Sequence, residues 1–115
     1  MLDRSGGMLR LHGLVKGDPD AAMVAVDDAF GAAGVSITDV HFFSGVQVTL
    51  HFEGPPEHVA PLVAGLAEAG VELDRGSLDA AAEASSLDRP VAGTLVVVLL
   101  RGDPDLRREV PAVPG

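Results

Sequence analysis

Residues 46–53, VQVTLHFE, alternate apolar and polar side chains without a break. The even positions hold valine, leucine and phenylalanine, and the odd positions hold glutamine, threonine, histidine and glutamate. Successive side chains of a β-strand point to opposite faces, so this stretch predicts a strand with one covered face and one polar face. A sheet of such strands needs helices on one side only.

Hydrophobic periodicity and turn residues predict the elements around this strand. The predicted strands are 8–16, 35–43, 46–53, 71–74 and 93–101, and the predicted helices are 18–33, a segment ending at 69, and weakly 78–87. Asp18 and Pro19 suit the start of the first helix, and Ser77 suits the cap of the weak one. This order predicts an α+β fold of the ferredoxin-like βαββαβ type. It would have an antiparallel sheet, two helices on one face and an additional C-terminal strand.

The domain organisation follows from the length of the chain and from its two short ends. One α+β domain is expected over 8–110, after a disordered N-terminus at 1–7 and before a flexible tail at 111–115. Residues 75–90 are rich in alanine, serine and aspartate, and a mobile connection is expected there.

Composition excludes several classes of function. The chain has 115 residues, a formal charge of −9, no cysteine, no tryptophan and no tyrosine. A negative field and few stacking groups disfavour nucleic-acid binding. Thiolate metal sites and cysteine nucleophiles are impossible. The longest apolar run is too short for a membrane helix, so no membrane partner is expected. The absence of cysteine suits a cytoplasmic protein. No cofactor is expected.

Residues 9–74 resemble an ACT domain, the small regulatory module of amino-acid metabolism. The similar features are a first strand running into a Gly-Asp-Pro turn, a helix ending in Ala33-Gly34, and a second strand that begins VSITDV. The resemblance implies a dimer that binds an amino-acid-like ligand near that turn. Carried over by position, the ligand-binding candidates are Gly17, Asp18, Pro19, Asp20, Ser36 and Ile37. Asp20 stands where the family often has glycine, and its charge would repel a ligand carboxylate.

Three histidines fall on three predicted strands. His12 and His51 have the parity opposite to the apolar set, whereas the pattern around His41 leaves its face open. Three imidazoles on one face, near Glu53, are ligands that zinc accepts. Ordinary half-buried polar positions on an open face are the alternative interpretation.

The most apolar stretch predicts an interface between two copies of the chain. It consists of Leu95, Val96, Val97, Val98, Leu99 and Leu100. In a strand, three of these side chains point to each face, and helices on one side would leave one set in water. Pairing with a second copy is the commonest way to cover such a set, so a homodimer is predicted.

Three hypotheses of function remain open from the sequence. The first is a non-catalytic ligand-binding or regulatory domain of ACT-like type. The second is an interaction or accessory module, and the third is a small dimeric α+β-barrel enzyme or a histidine-based metal-binding protein. No nucleophile motif or phosphate-binding loop is present, which favours a protein without catalytic activity.

Overall fold

The computed structural model describes residues 8–43 and 46–100. The strands are β1 (Met8–Lys16), β2 (Ser36–Phe43), β3 (Gln47–Gly54), β4 (Glu72–Leu73) and β5 (Val91–Leu100), and the helices are α1 (Pro19–Ala33), α2 (Val59–Glu68) and α3 (Arg75–Ala84). A single 3-10 turn at Pro56–His58 leads into α2. The predicted Ser44-Gly45 turn and the segments at 1–7 and 111–115 lie outside the described residues.

The five strands form one mixed sheet in the order β2-β3-β5-β1-β4. The α+β class is confirmed, but the strand order does not confirm the predicted ferredoxin-like plan, in which the first and third strands are neighbours. Strand β5 lies between them, parallel to β1 and antiparallel to β3. An uninterrupted apolar run is typical of a strand in the centre of a sheet, where both neighbours pair with its backbone. The late strand is therefore a central strand, and one strand pair is parallel.

All three helices cover the same face of the sheet. Alternate side chains of β1, β3 and β5 are buried on that side, and α1, α2 and α3 add small and branched apolar residues to the same core. The buried sheet residues are Leu9, Leu11, Val15, Val48, Leu50, Phe52, Val91, Leu95, Val97 and Leu99. The alternation that begins at residue 46 thus predicts correctly which side of β3 is covered.

Helix α1 begins and ends as its sequence predicts. The side chain of Asp18 accepts a hydrogen bond from the backbone N–H of Asp20 at 3.1 Å, and Pro19 is the first helical residue. Gly34 closes the helix in the left-handed conformation, with φ of 76°. The acidic cap and the terminal glycine satisfy backbone groups that a helix leaves unpaired at its ends.

Helix α3 starts earlier than expected, and its cap is Asp74 rather than Ser77. The Asp74 carboxylate accepts the backbone N–H of Ser77 at 2.7 Å. The buried Ser77 hydroxyl accepts the N–H of His12 at 2.7 Å, while the backbone N–H of Asp74 donates to the His12 carbonyl at 3.1 Å. Because β4 has only two residues, it pairs with only a short part of β1. Beyond β4, residues at the start of α3 form hydrogen bonds with the backbone of β1. Most of the connection that was expected to be mobile is therefore an ordered helix.

Gly93 marks the closest approach within the core. A β-carbon at this position would lie 2.5 Å from Cζ of Phe52 and 2.7 Å from the backbone oxygen of Leu9. The Phe52 ring occupies the space above the glycine and packs on Phe30, with ring centroids 5.4 Å apart. Only a residue without a side chain fits beneath that ring.

Candidate functional site

The face of the sheet opposite the helices, called the open face below, has no covering element among the described residues. Cross-strand register assigns its side chains. They are Met8, Arg10, His12, Leu14 and Lys16 on β1, Ala92, Thr94, Val96, Val98 and Leu100 on β5, Gln47, Thr49, His51 and Glu53 on β3, Ser36, Asp39, His41 and Phe43 on β2, and Glu72 on β4. This face mixes polar and apolar groups, unlike the apolar helix side.

A cavity of about 320 Å³ lies on the open face, across β1, β5 and β3. This open-face pocket is lined by Met8, Arg10, His12, His51, Thr94 and Val96. Thr94 lies between Arg10 and His51 in one cross-strand row, and Val96 lies beside His12 in the next. A hydrogen bond joins the Thr94 hydroxyl to Nδ1 of His51 at 3.4 Å. Polar groups from three paired strands therefore converge on an apolar floor.

The lining of the open-face pocket has the opposite electrostatic character to the whole chain. The chain carries a formal charge of −9, yet the lining holds one guanidinium, two imidazoles and no carboxylate. By register, Asp39 lies opposite His51, and Glu53 lies two residues beyond His51 on β3. Asp74, which precedes α3, is close enough to His12 for their charges to interact. None of these carboxylates lines the cavity, so the pocket is a locally cationic site within an acidic protein.

An Asp-His pair stands next to the pocket on β2. Oδ2 of Asp39 lies 2.9 Å from Nε2 of His41. The rings of His41 and His51 are perpendicular, with centroids 5.6 Å apart. The backbone N–H of Val40, followed by the charge of His41, holds the pKa of Asp39 below its usual range. His51 thus lies between this pair and the pocket.

The three histidines share the open face but do not meet at one point. Strand β5 separates His12 from His51, whereas His41 and His51 are in contact. Within the described residues, no group of three or more histidine, aspartate or glutamate side chains could hold a metal ion. His12, His41 and His51 therefore do not form a metal centre within that part of the chain.

The residues suggested by the ACT resemblance lie at two ends of the sheet. Gly17, Asp18, Pro19 and Asp20 join β1 to α1, whereas Ser36 and Ile37 begin β2 after the other end of α1. A helix of 15 residues spans roughly 22 Å, so the two groups are far apart in one chain. Gly17 has φ of 108°, and Asp18 and Pro19 begin the helix, so these three residues have structural roles.

A larger cleft of about 590 Å³ lies at the end of the sheet where β2 begins. Its charged lining residues are Glu53, Glu57, Asp88 and Arg89, and three prolines complete much of its wall. Its residues come mainly from loops, whereas those of the open-face pocket all lie on strands, which hold side chains more rigidly.

No protein family, curated protein or solved structure matches the chain.

The sequence identifies two of the polar pocket residues and misses two others. His12 and His51 are predicted on the open side from strand parity. Arg10 shares the parity of His12, so its place on that face was visible in the sequence. Thr94 was missed because nothing local shows that β5 lies between β1 and β3.

Proposed function

We propose that this chain is a non-catalytic small-molecule-binding domain that works as a homodimer, in a regulatory role of the ACT-like type. The observation that carries the proposal is the convergence of Arg10, His12, His51 and Thr94 around one cavity. A small concave site with an apolar floor and a few directed polar groups is the usual form of a ligand pocket. The proposed ligand site is thus the open-face pocket, not the Gly17 turn.

The proposed kinship of the fold rests on the order of its elements. The first six main elements follow the order β1, α1, β2, β3, α2, β4, which is the βαββαβ order. We regard the fold as this ferredoxin-like plan with β5 inserted between β3 and β1. The insertion widens the open face by one strand and supplies Thr94 and Val96 to the pocket.

The homodimer is proposed because the open face carries apolar side chains that the chain itself leaves uncovered. Leu95, Val97 and Leu99 are buried in the core, whereas Val98 and Leu100 remain 37% and 43% exposed. Burying a valine or leucine side chain fully contributes about 1.5–3 kcal/mol. A second copy set face to face would cover this set and enclose the pocket.

Charge on the open face is compatible with self-association. Arg10 and Lys16 offset most of the charge of Asp39, Glu53 and Glu72, which register places on the same side. Most of the negative charge of the chain therefore lies elsewhere. Two copies can approach through this face with less repulsion than their net charges imply.

A thermal-shift screen tests the ligand site. Amino acids, small carboxylic acids, amines, nucleotides and divalent metals are added to the wild type, to Arg10→Gln and to Arg75→Gln. A ligand that binds only the folded state raises the melting temperature. We expect hits shared by the wild type and Arg75→Gln but lost in Arg10→Gln, because Arg75 is an exposed cation on α3 that does not line the pocket. Hits that persist in Arg10→Gln would place the ligand site elsewhere.

A second candidate function is proton-transfer catalysis, and the Asp39–His41 pair beside His51 favours it. A carboxylate that orients an imidazole is a recurring arrangement in general-base catalysis. The distinguishing measurement is turnover of any ligand that the screen finds. A ligand that is chemically converted, with loss of conversion in His41→Gln, would favour the enzyme over the regulatory domain.

A further inference from the structure

We propose that the open-face pocket selects small monocarboxylates with an uncharged, apolar body, because Arg10, Thr94 and two histidines surround a floor of Val96 and Met8. This inference rests on the proposed function, since it names the class of ligand for the same site.

The carboxylate partner is Arg10. Its guanidinium is planar and presents paired N–H donors that match the two oxygens of a carboxylate. The Thr94 hydroxyl is the next side chain along the same cross-strand row, so it can donate to the same oxygens. His12 follows Arg10 by two residues on the same face of β1, about 7 Å along the strand. The lining thus offers hydrogen-bond donors at several points around one anionic group.

The rest of the ligand must be apolar and small. Val96 and Met8 provide a half-buried apolar floor. A volume of about 320 Å³ lies at the lower end of the range for small-molecule sites. A single short apolar group attached to the carboxylate fits this space better than an extended ligand does.

The lining also disfavours zwitterionic amino acids. It contains no carboxylate that could pair with an ammonium group, and Arg10 would repel that group. Asp39 and Glu53 carry negative charge on the same face but outside the cavity. The pocket is therefore expected to prefer an acid over the corresponding amino acid.

The test is isothermal titration calorimetry of the full chain with three matched probes. The probes are 3-phenylpropanoate, its neutral amide and phenylalanine, which share one apolar body. We expect 3-phenylpropanoate to bind at least tenfold more tightly than either of the other two, since a charge-assisted pair is much stronger than a neutral one.

Two variants locate the effect. Arg10→Gln should weaken 3-phenylpropanoate about tenfold or more, while Lys16→Gln, the same loss of charge on the same strand and face, should change it less than twofold. Circular dichroism verifies that both exposed substitutions preserve the fold.

The failures of the two proposals are distinguishable. Equal binding of the amide or of phenylalanine, or no binding of 3-phenylpropanoate, would overturn the carboxylate class. The ligand site itself would survive that result if the thermal-shift screen gave other hits that depend on Arg10. A complete absence of hits that depend on Arg10 would overturn the proposed function as well.

Discussion

Replacing Gly93 by alanine tests the account of the core. The new β-carbon would lie 2.5 Å from Cζ of Phe52 and 2.7 Å from the backbone oxygen of Leu9, about 1 Å inside ordinary contact distance. The ring cannot move freely because Phe52 and Phe30 are 3% and 1% exposed and pack on each other. The oxygen belongs to β1, which is paired with β5 along its whole length.

We therefore expect Gly93→Ala to lower the free energy of unfolding by about 2–3 kcal/mol, the upper part of the usual cost of overpacking. Gly31→Ala is the matched control, because its β-carbon would meet nothing within 4 Å on an exposed turn of α1. The control should gain about 0.5–1 kcal/mol from helix propensity.

Urea unfolding followed by far-ultraviolet circular dichroism measures both changes, since the chain has no tryptophan or tyrosine for fluorescence. Phe52→Leu should reduce the cost of Gly93→Ala without abolishing it, because the contact with the Leu9 oxygen remains. A Gly93→Ala protein as stable as the wild type would refute the predicted clash.

Three further substitutions test the sheet faces and the caps. Val98→Glu should leave a folded monomer, whereas Val97→Glu should prevent folding, because Val97 is fully buried and Val98 lies on the open face. Sedimentation and circular dichroism distinguish the two outcomes. Equal damage by both substitutions would mean that one chain buries both faces. Asp18→Ala should lower the free energy of unfolding by about 1 kcal/mol through loss of the α1 cap. Calorimetry should show unchanged binding of 3-phenylpropanoate. Weaker binding at unchanged stability would instead mean that the turn between β1 and α1 is a ligand-binding site. The Ser77 hydroxyl and backbone N–H hold the pKa of Asp74 below 3.8, so this carboxylate stabilises the fold above that pH and the contribution is lost as the pH falls through the lower folded value. Asp74→Ala should therefore flatten the acid limb of stability measured by urea unfolding, and an unchanged limb would contradict the role of this cap.

The sequence predicts the parts of this fold that depend on local pattern. The alternation of β3 predicts its covered face, and the residues Asp18, Pro19 and Gly34 predict both ends of α1. Each of these features is decided by neighbours within a few residues, through side-chain parity or backbone hydrogen bonds. The existence of α3 was predicted weakly because its buried face consists largely of alanine.

The position of β5 could not be read from the chain. An apolar run such as residues 95–100 suits a central strand and an intermolecular surface equally well, and the choice depends on pairing with strands distant in sequence. The pocket could not be predicted from the sequence for the same reason, because Thr94 lies next to Arg10 and His51 only through that pairing. The cap of α3 also depends on a contact distant in sequence. Ser77 is a good capping residue, but its hydroxyl accepts the backbone N–H of His12, and Asp74 caps the helix instead.

The most direct test of the open face as the functional surface is chemical-shift mapping of the ¹⁵N-labelled chain during titration with 3-phenylpropanoate. The account predicts that the largest changes fall on the amides of Arg10, His51 and Thr94, on three paired strands. Changes centred instead on Glu57 and Arg89, in the larger cleft at the end of the sheet, would contradict it.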